Sequence, residues 1–261
     1  SVSLPRFGLH RHPPPPNNSF KPTPCRGIGH VLYATLAHVR RPDTGRLNSG
    51  VRPLMTDPPV VFTPSNEPYL GRQSLFAFDE LISATLNLNQ HVAPITHAGA
   101  MTDLQRALCQ IIPSALSISL SIRELIRQGY IYGALVLLRP LAERTVSGLY
   151  LQKIPSGLPL WQSGWIHGMR PGFAKMVQEI WGDIHPDANR AITTSLNSLV
   201  HGDPQSAEWN LIFGSSGSPA YAVSKILDRP DICDHVALEA ATYLGELTGL
   251  MTAEFLVRDR A

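Results

Sequence analysis

Apolar positions recur at helical spacing through most of the chain beyond residue 76, and each run is closed by a stop signal. Phe76, Leu81, Leu86 and Leu88 lie in the first run, which the pattern ends before Pro94. A second helix is expected from about Thr102, a good N-cap followed by Asp103, to Arg127, with Gly129 as its stop. A third runs from Tyr130 to about Lys153 and ends at Ile154-Pro155-Ser156-Gly157. The short connection between the second and third makes them an antiparallel hairpin. Residues 155–170 read as a long loop carrying Trp161 and Trp165, which either caps one end of the bundle or covers a site. Pro171 opens a short helix ending near Trp181-Gly182, and Pro186 or Asp187 opens the next, which stops at His201-Gly202-Asp203-Pro204. Trp209–Phe213 and Ala220–Val223 flank a Gly- and Ser-rich turn and form a short β-hairpin. The last helix spans about Asp231 to Arg258. The expected fold is therefore all-α: a bundle of five or six helices with a small β-hairpin insertion near 209–223.

Composition agrees with a folded domain, with 43% hydrophobic and 16% charged residues. Charge is distributed unevenly. Residues 1–54 hold eight basic side chains against Asp43 alone, a balance of +7, while fourteen basic and nineteen acidic residues leave −5 on the remainder. An acidic domain argues against broad nucleic-acid binding, which relies on neutralising phosphates with Lys and Arg. The first 54 residues also hold nine of the 23 prolines, including Pro13–Pro16, and are expected to be a disordered, basic, Pro-rich segment. The single helical domain is expected to span residues 55–261. Cys25, Cys109 and Cys233 are far apart and form no CxxC pair, as expected of thiols in a reducing compartment. The beginning of the chain lacks an apolar run after its basic residues, so no secretion signal is expected. The longest apolar stretch, Ala107 to Ile122, is interrupted by Gln110, Pro113 and serines and falls short of the ~20 residues that span a bilayer. A cytoplasmic protein without a membrane partner is the expectation.

Candidate chemistry concentrates on two helices. The third is apolar nearly all round, which places it centrally in a bundle. Arg139 and Glu143 lie about 40° apart on its surface, on a stripe shared with Tyr132, Val136, Val146 and Tyr150. Two opposite charges in an aromatic stripe of a buried helix must be paired. They either fix helix register as a buried bridge or line a pocket. Pro140 between them removes a hydrogen bond to the Val136 carbonyl and predicts a kink there. On the helix 187–201, Arg190, Thr194, Asn197 and His201 form a polar stripe opposite Ile192, Leu196 and Leu199. That stripe is either a solvated face, with His201 favoured by the helix dipole, or the wall of a groove or dimer interface that brings His201 toward Arg139 and Glu143.

Leu137-Leu138-Arg139-Pro140-Leu141-Ala142-Glu143, running on to Tyr150-Leu151, resembles the first signature of a bacterial helical family of unknown function, and Leu196-Asn197-Ser198-Leu199-Val200-His201-Gly202 resembles its second. The resemblance covers residues 100–205, and Pro140 stands where that family usually has a small residue. The family is in turn similar to HEPN domains, helical bundles that often dimerise and include metal-independent RNases. This resemblance implies a homo-oligomer and a non-catalytic interaction module of a stress or defence type. Its alternative is an RNase using His201 as base, with Arg139 or Arg190 as the cation. The HEPN motif leaves four to six residues between its arginine and its histidine, which in this chain puts Leu196, Ser195 and Thr194 at the arginine's place. Within residues 1–54, Asn17 through Pro24 and Arg46 through Pro53 resemble conceptual translation of repeats between bacterial genes, which implies a native start at Met55. A basic arm for an acidic partner is the other reading of that segment.

No GxGxxG, GK[ST] or GxSxG motif is present, so no cofactor is expected. Asp183, His185 and Asp187 alternate like metal ligands, but they span a helix stop and start and are read as caps. No metal is expected. His91 and His97 lack carboxylates nearby in sequence. The candidate catalytic residues are therefore His201, Arg139 and Glu143, and the candidate binding residues are Arg190, Asn197, Trp161, Trp165 and Tyr150.

Overall fold

The computed structural model describes residues 67–99, 101–165, 169–182, 188–201, 203–213, 217–222 and 225–257, with the side chains of 98, 188–192, 205, 213 and 257 excepted. The expectations for residues 1–54, for a start at Met55 and for Asp183, His185 and Asp187 lie outside these residues. Seven α-helices form the described fold: α1 Gln73–Ala98, α2 Asp103–Gln128, α3 Ile131–Lys153, α4 Leu158–Gln162, α5 Phe173–Trp181, α6 Ala188–His201 and α7 Pro230–Thr252. A 3₁₀ turn Pro155–Gly157 precedes α4, and a longer one, Pro204–Asn210, leads into the antiparallel strands β1 Leu211–Phe213 and β2 Pro219–Tyr221. Their register pairs Leu211 with Tyr221 and Phe213 with Pro219. The protein is an all-α bundle with a small hairpin. Six helices have nine residues or more, and the seventh is the five-residue α4.

Local signals set the α2–α3 hairpin. The Thr102 side chain accepts from the Gln105 amide while the Gln105 side chain accepts from the Thr102 amide, so two of the four orphan donors at this helix start are satisfied. Gly129 ends the helix at φ 83, and a Cβ there would stand 2.6 Å from Leu227, so conformation and space both require glycine. From that turn the two helices run back along each other. Leu125 lies against Gly133, Arg144 Nε donates to Ser114 Oγ at 3.2 Å, and Leu108 lies against Gly148.

α3 is the central element, packed by α2, α5, α6 and α7. Leu135, Leu138, Leu141, Ala142, Val146 and Leu151 are fully buried, as an apolar helix with neighbours on every side requires. Gly148 lets α7 approach, because a Cβ there would stand 3.2 Å from Leu247 and from Leu250. α1 covers α7 on another side, where Thr85 and Thr248 share a 2.8 Å hydrogen bond. α2 meets the length and apolarity of a membrane span. Its apolar stripe, from Leu104 to Ile126, is buried in the bundle, so the composition is that of a core helix.

The structure departs from the sequence pattern at several boundaries. α1 continues through Pro94 to Ala98 rather than ending before it. A proline near a helix end forfeits a single backbone bond, and Val92, buried six residues before the end, holds the last turns against the core. Residues 155–165 fold into the 3₁₀ turn and α4 instead of an open loop. α5 begins at Phe173, two residues after Pro171. Trp209 belongs to the 3₁₀ turn, not to β1. α7 gives way at Ala253 to a π-type turn, Ala253–Val257, rather than continuing to Arg258.

Candidate functional site

Three helices meet at Arg139. On α3, its Nε donates to Glu143 Oε1 one turn further along, at 3.1 Å, and Nη2 lies 3.1 Å from the same oxygen. Nη1 donates to Asn197 Oδ1 on α6 at 2.7 Å. The guanidinium lies over the Phe173 ring of α5, 3.9 Å from its centroid. Stacking of this kind contributes ~0.5–2 kcal/mol as the cation is desolvated. Arg139 and Glu143 keep 15% and 26% of their side-chain surface, so the pair is half-buried rather than sealed in the core. The second oxygen of Glu143 faces Arg170 Nη2 at 3.7 Å. One guanidinium therefore ties α3, α5 and α6 together, and one carboxylate stands between two arginines. The Arg139 nitrogens are directed to Glu143 and Asn197, not to the Val136 carbonyl released by Pro140.

Behind this clasp stands Tyr243 of α7, 1% exposed, whose hydroxyl has no hydrogen-bond partner among the described residues. Burial pushes that phenol well above its ordinary range; the Glu239 carboxylate pushes the same way, and the charge of Arg139 pulls against both.

Asn197 sits on the border of the buried face of α6. Leu196, Ser198 and Leu199 are buried, Asn197 is half-buried, and Thr194 and His201 are exposed. The polar stripe is thus split. α6 packs against both α3 and α5, so the border position reaches α3 while positions further round stay in water. His201 stands one turn beyond Asn197, about 6 Å along the axis. It makes no hydrogen bond, ion pair or ring contact among the described residues. Arg190 lies on the helical backbone of α6, and its side chain is outside the described residues.

The aromatic candidates lie elsewhere on the frame. Tyr150 is buried, seven residues beyond Glu143, with its ring against Gly157. Burial first, and then Glu179, push its hydroxyl upward. Trp161 and Trp165 are half-buried against the core, Trp161 on α4 and Trp165 just after it at φ 50. α4 packs on α2, and Gln162 hydrogen-bonds Asp103 at the start of that helix. His91 and His97 are exposed. No group of three His, Cys, Asp or Glu side chains among the described residues is arranged to hold a metal.

The sequence reading passed over the most deeply buried charges. Arg123 of α2 is 1% exposed and donates to two carboxylates, with Nη2 2.9 Å from Glu67 Oε2 and 3.0 Å from Asp79 Oδ2. Its Nη1 and Nε reach the other oxygen of each. Burial raises the Asp79 carboxyl, and the Arg123 hydrogen bonds oppose that rise. A signal existed, because Arg123 falls on the apolar stripe of Leu116, Ser119 and Ile126, but its partners are 44 and 56 residues away. Near the start of α1, Arg72 and Ser74 both bind Asp234, which fastens it to α7.

Compared with family models, with curated proteins and with solved structures, the chain matches none of them. The fold and its clasp define the class: an all-α helical bundle whose central helix is tied to two neighbours through one half-buried arginine.

Proposed function

We propose that this protein is a non-catalytic helical interaction module of the bacterial cytoplasm, of a stress or defence type, acting as a homodimer or on a protein partner. The observation that carries this reading is the engagement of Arg139. All three of its nitrogens are used by Glu143 and Asn197, and its face is covered by Phe173. A guanidinium reserved for transition-state charge keeps donors aimed at the reacting group. This one is spent on holding helices together. His201 is correspondingly in solvent, and no group among the described residues orients its ring as a base.

One observation favours the second reading, a metal-independent RNase of HEPN-like type. Asn197 docks the helix of His201 onto Arg139, and His201 follows Asn197 by about one helical turn. The two readings separate on labelled single-stranded RNA, incubated with the full chain and with His201→Ala, in chelator and in Mg²⁺. The interaction reading expects intact RNA throughout. Cleavage by the wild type that is lost in His201→Ala establishes the RNase instead.

A further inference from the structure

We infer that the half-open hollow between the second half of α1, the middle of α2 and the end of α7 is a binding site for a small single-ring aromatic molecule bearing a hydroxyl. The hollow has a volume of about 130 Å³. An apolar cavity of ~150 Å³ is large enough for benzene. Size therefore fits one ring.

Its walls choose the chemistry. Phe255 and Met251 present buried apolar surface, and Cys109 of α2 adds its half-buried thiol. An aromatic ring between a phenyl group and two sulfurs gains contacts that an alkyl chain does not, because sulfur is favoured at a ring edge. Phe255 owes its position to the π-type turn Ala253–Val257, a helix irregularity that recurs at functional sites. None of the ten lining residues is charged, so an ionised guest would lose its hydration without compensation.

Two polar groups on the wall specify the hydroxyl. Thr96 Oγ1 already donates to the Ala93 carbonyl at 2.7 Å, which leaves it free to accept. The Asn89 amide makes no hydrogen bond among the described residues and can donate. A phenolic O–H can donate to Thr96 or accept from Asn89, and a plain hydrocarbon forgoes either bond. This inference uses none of the Arg139 clasp and stands apart from the interaction reading.

The test uses the full chain with phenol as probe and toluene and benzoate as comparisons. Alkylation of Cys109 by iodoacetamide is followed by peptide mass spectrometry, and saturation-transfer NMR reads contact with the phenol itself. With phenol at ten times its Kd, Cys109 alkylation is expected to slow ~10-fold, as occupancy requires. Toluene and benzoate are expected to protect less. Ala93 is exposed on α1, so Ala93→Trp lays an indole into the hollow from outside without disturbing the core. It should abolish the saturation transfer while circular dichroism and melting temperature stay those of the wild type. Failure of phenol to protect Cys109 up to its solubility limit overturns the site. Equal protection by toluene, or saturation transfer unchanged in Ala93→Trp, overturns it as well.

Discussion

Arg123 illustrates what a single residue can decide in this fold. Its guanidinium is sealed beneath α1 and holds two carboxylates, Glu67 from the segment leading into α1 and Asp79 from α1 itself. Among the described residues the network carries one more negative than positive charge, so its stability rests on the hydrogen bonds more than on Coulomb attraction. Removing the cation while leaving the carboxylates is the damaging change. Arg123→Met should cost ~3–5 kcal/mol, the range for an uncompensated buried charge. Adding Glu67→Gln and Asp79→Asn to that variant should recover most of the loss, because no buried charge then lacks a partner. Urea denaturation at pH 7 measures both steps. A loss below about 1 kcal/mol for Arg123→Met would show that the carboxylates escape to water when the arginine is gone.

Among the elements, the helices whose ends are written in local chemistry were legible. Thr102 and Gly129 bound α2 where the sequence placed its cap and stop, and the central position of α3 followed from its lack of a polar face. Boundaries involving proline were less so. Pro113 and Pro140 lie inside helices where the pattern placed them, but α1 also runs through Pro94, because packing of buried neighbours such as Val92 outweighs one missing backbone bond. The candidate site was half legible. The pairing of Arg139 with Glu143 is a property of one helix, whereas Asn197, Phe173 and Arg170 arrive by tertiary packing that no local pattern records. α7 carries the testable consequence at this scale. Glu246 is half-buried, has no hydrogen bond or ion pair among the described residues, and burial raises its carboxyl above 4.5. A raised carboxyl favours the fold in its protonated form. Its contribution is therefore present below the unfolded value and is lost as pH rises through the folded one. Glu246→Gln should stabilise the protein at pH 7 by up to about 1 kcal/mol. It should also flatten the decline of melting temperature as pH rises above 4.5, which differential scanning calorimetry at several pH values would show. A variant less stable than the wild type at pH 7 would mean that the carboxylate is held by a favourable partner.

For the whole molecule, burial and tethering divide the described chain into a firm centre and a lightly held edge. α3 and α7 meet through fully buried side chains along most of their length. The hairpin, by contrast, has three paired positions, and every residue of β2 is exposed. Among the described residues, two contacts join it and its leading turn to the start of α7: Nη1 of the N-cap Arg229 donates to the Leu211 carbonyl at 2.9 Å, and Trp209 stacks on His235 with centroids 5.2 Å apart and planes 15° from parallel. Few buried contacts and exposed ladder bonds place an element at the low end of the local stability range. Hydrogen exchange at pH 7 should therefore find β1 and β2 opening at a small fraction of the global free energy, while the amides of Leu138, Leu141 and Val146 exchange only by complete unfolding. Acid should widen that gap. Burial lowers the ionisation of His235, so its contribution to stability is fully present above 6.5 and is lost as pH falls through the folded value. Charging this ring costs desolvation, which cation–π attraction to Trp209 offsets only in part. After correction for intrinsic exchange rates, the opening free energy of the Ile212 and Ala220 amides, the hydrogen-bonded pair of this ladder, should fall between pH 7 and pH 5. In His235→Phe, which keeps the stack and cannot ionise, it should stay level. A fall of equal size in both proteins would place the acid sensitivity elsewhere and leave the Trp209–His235 stack a plain apolar contact.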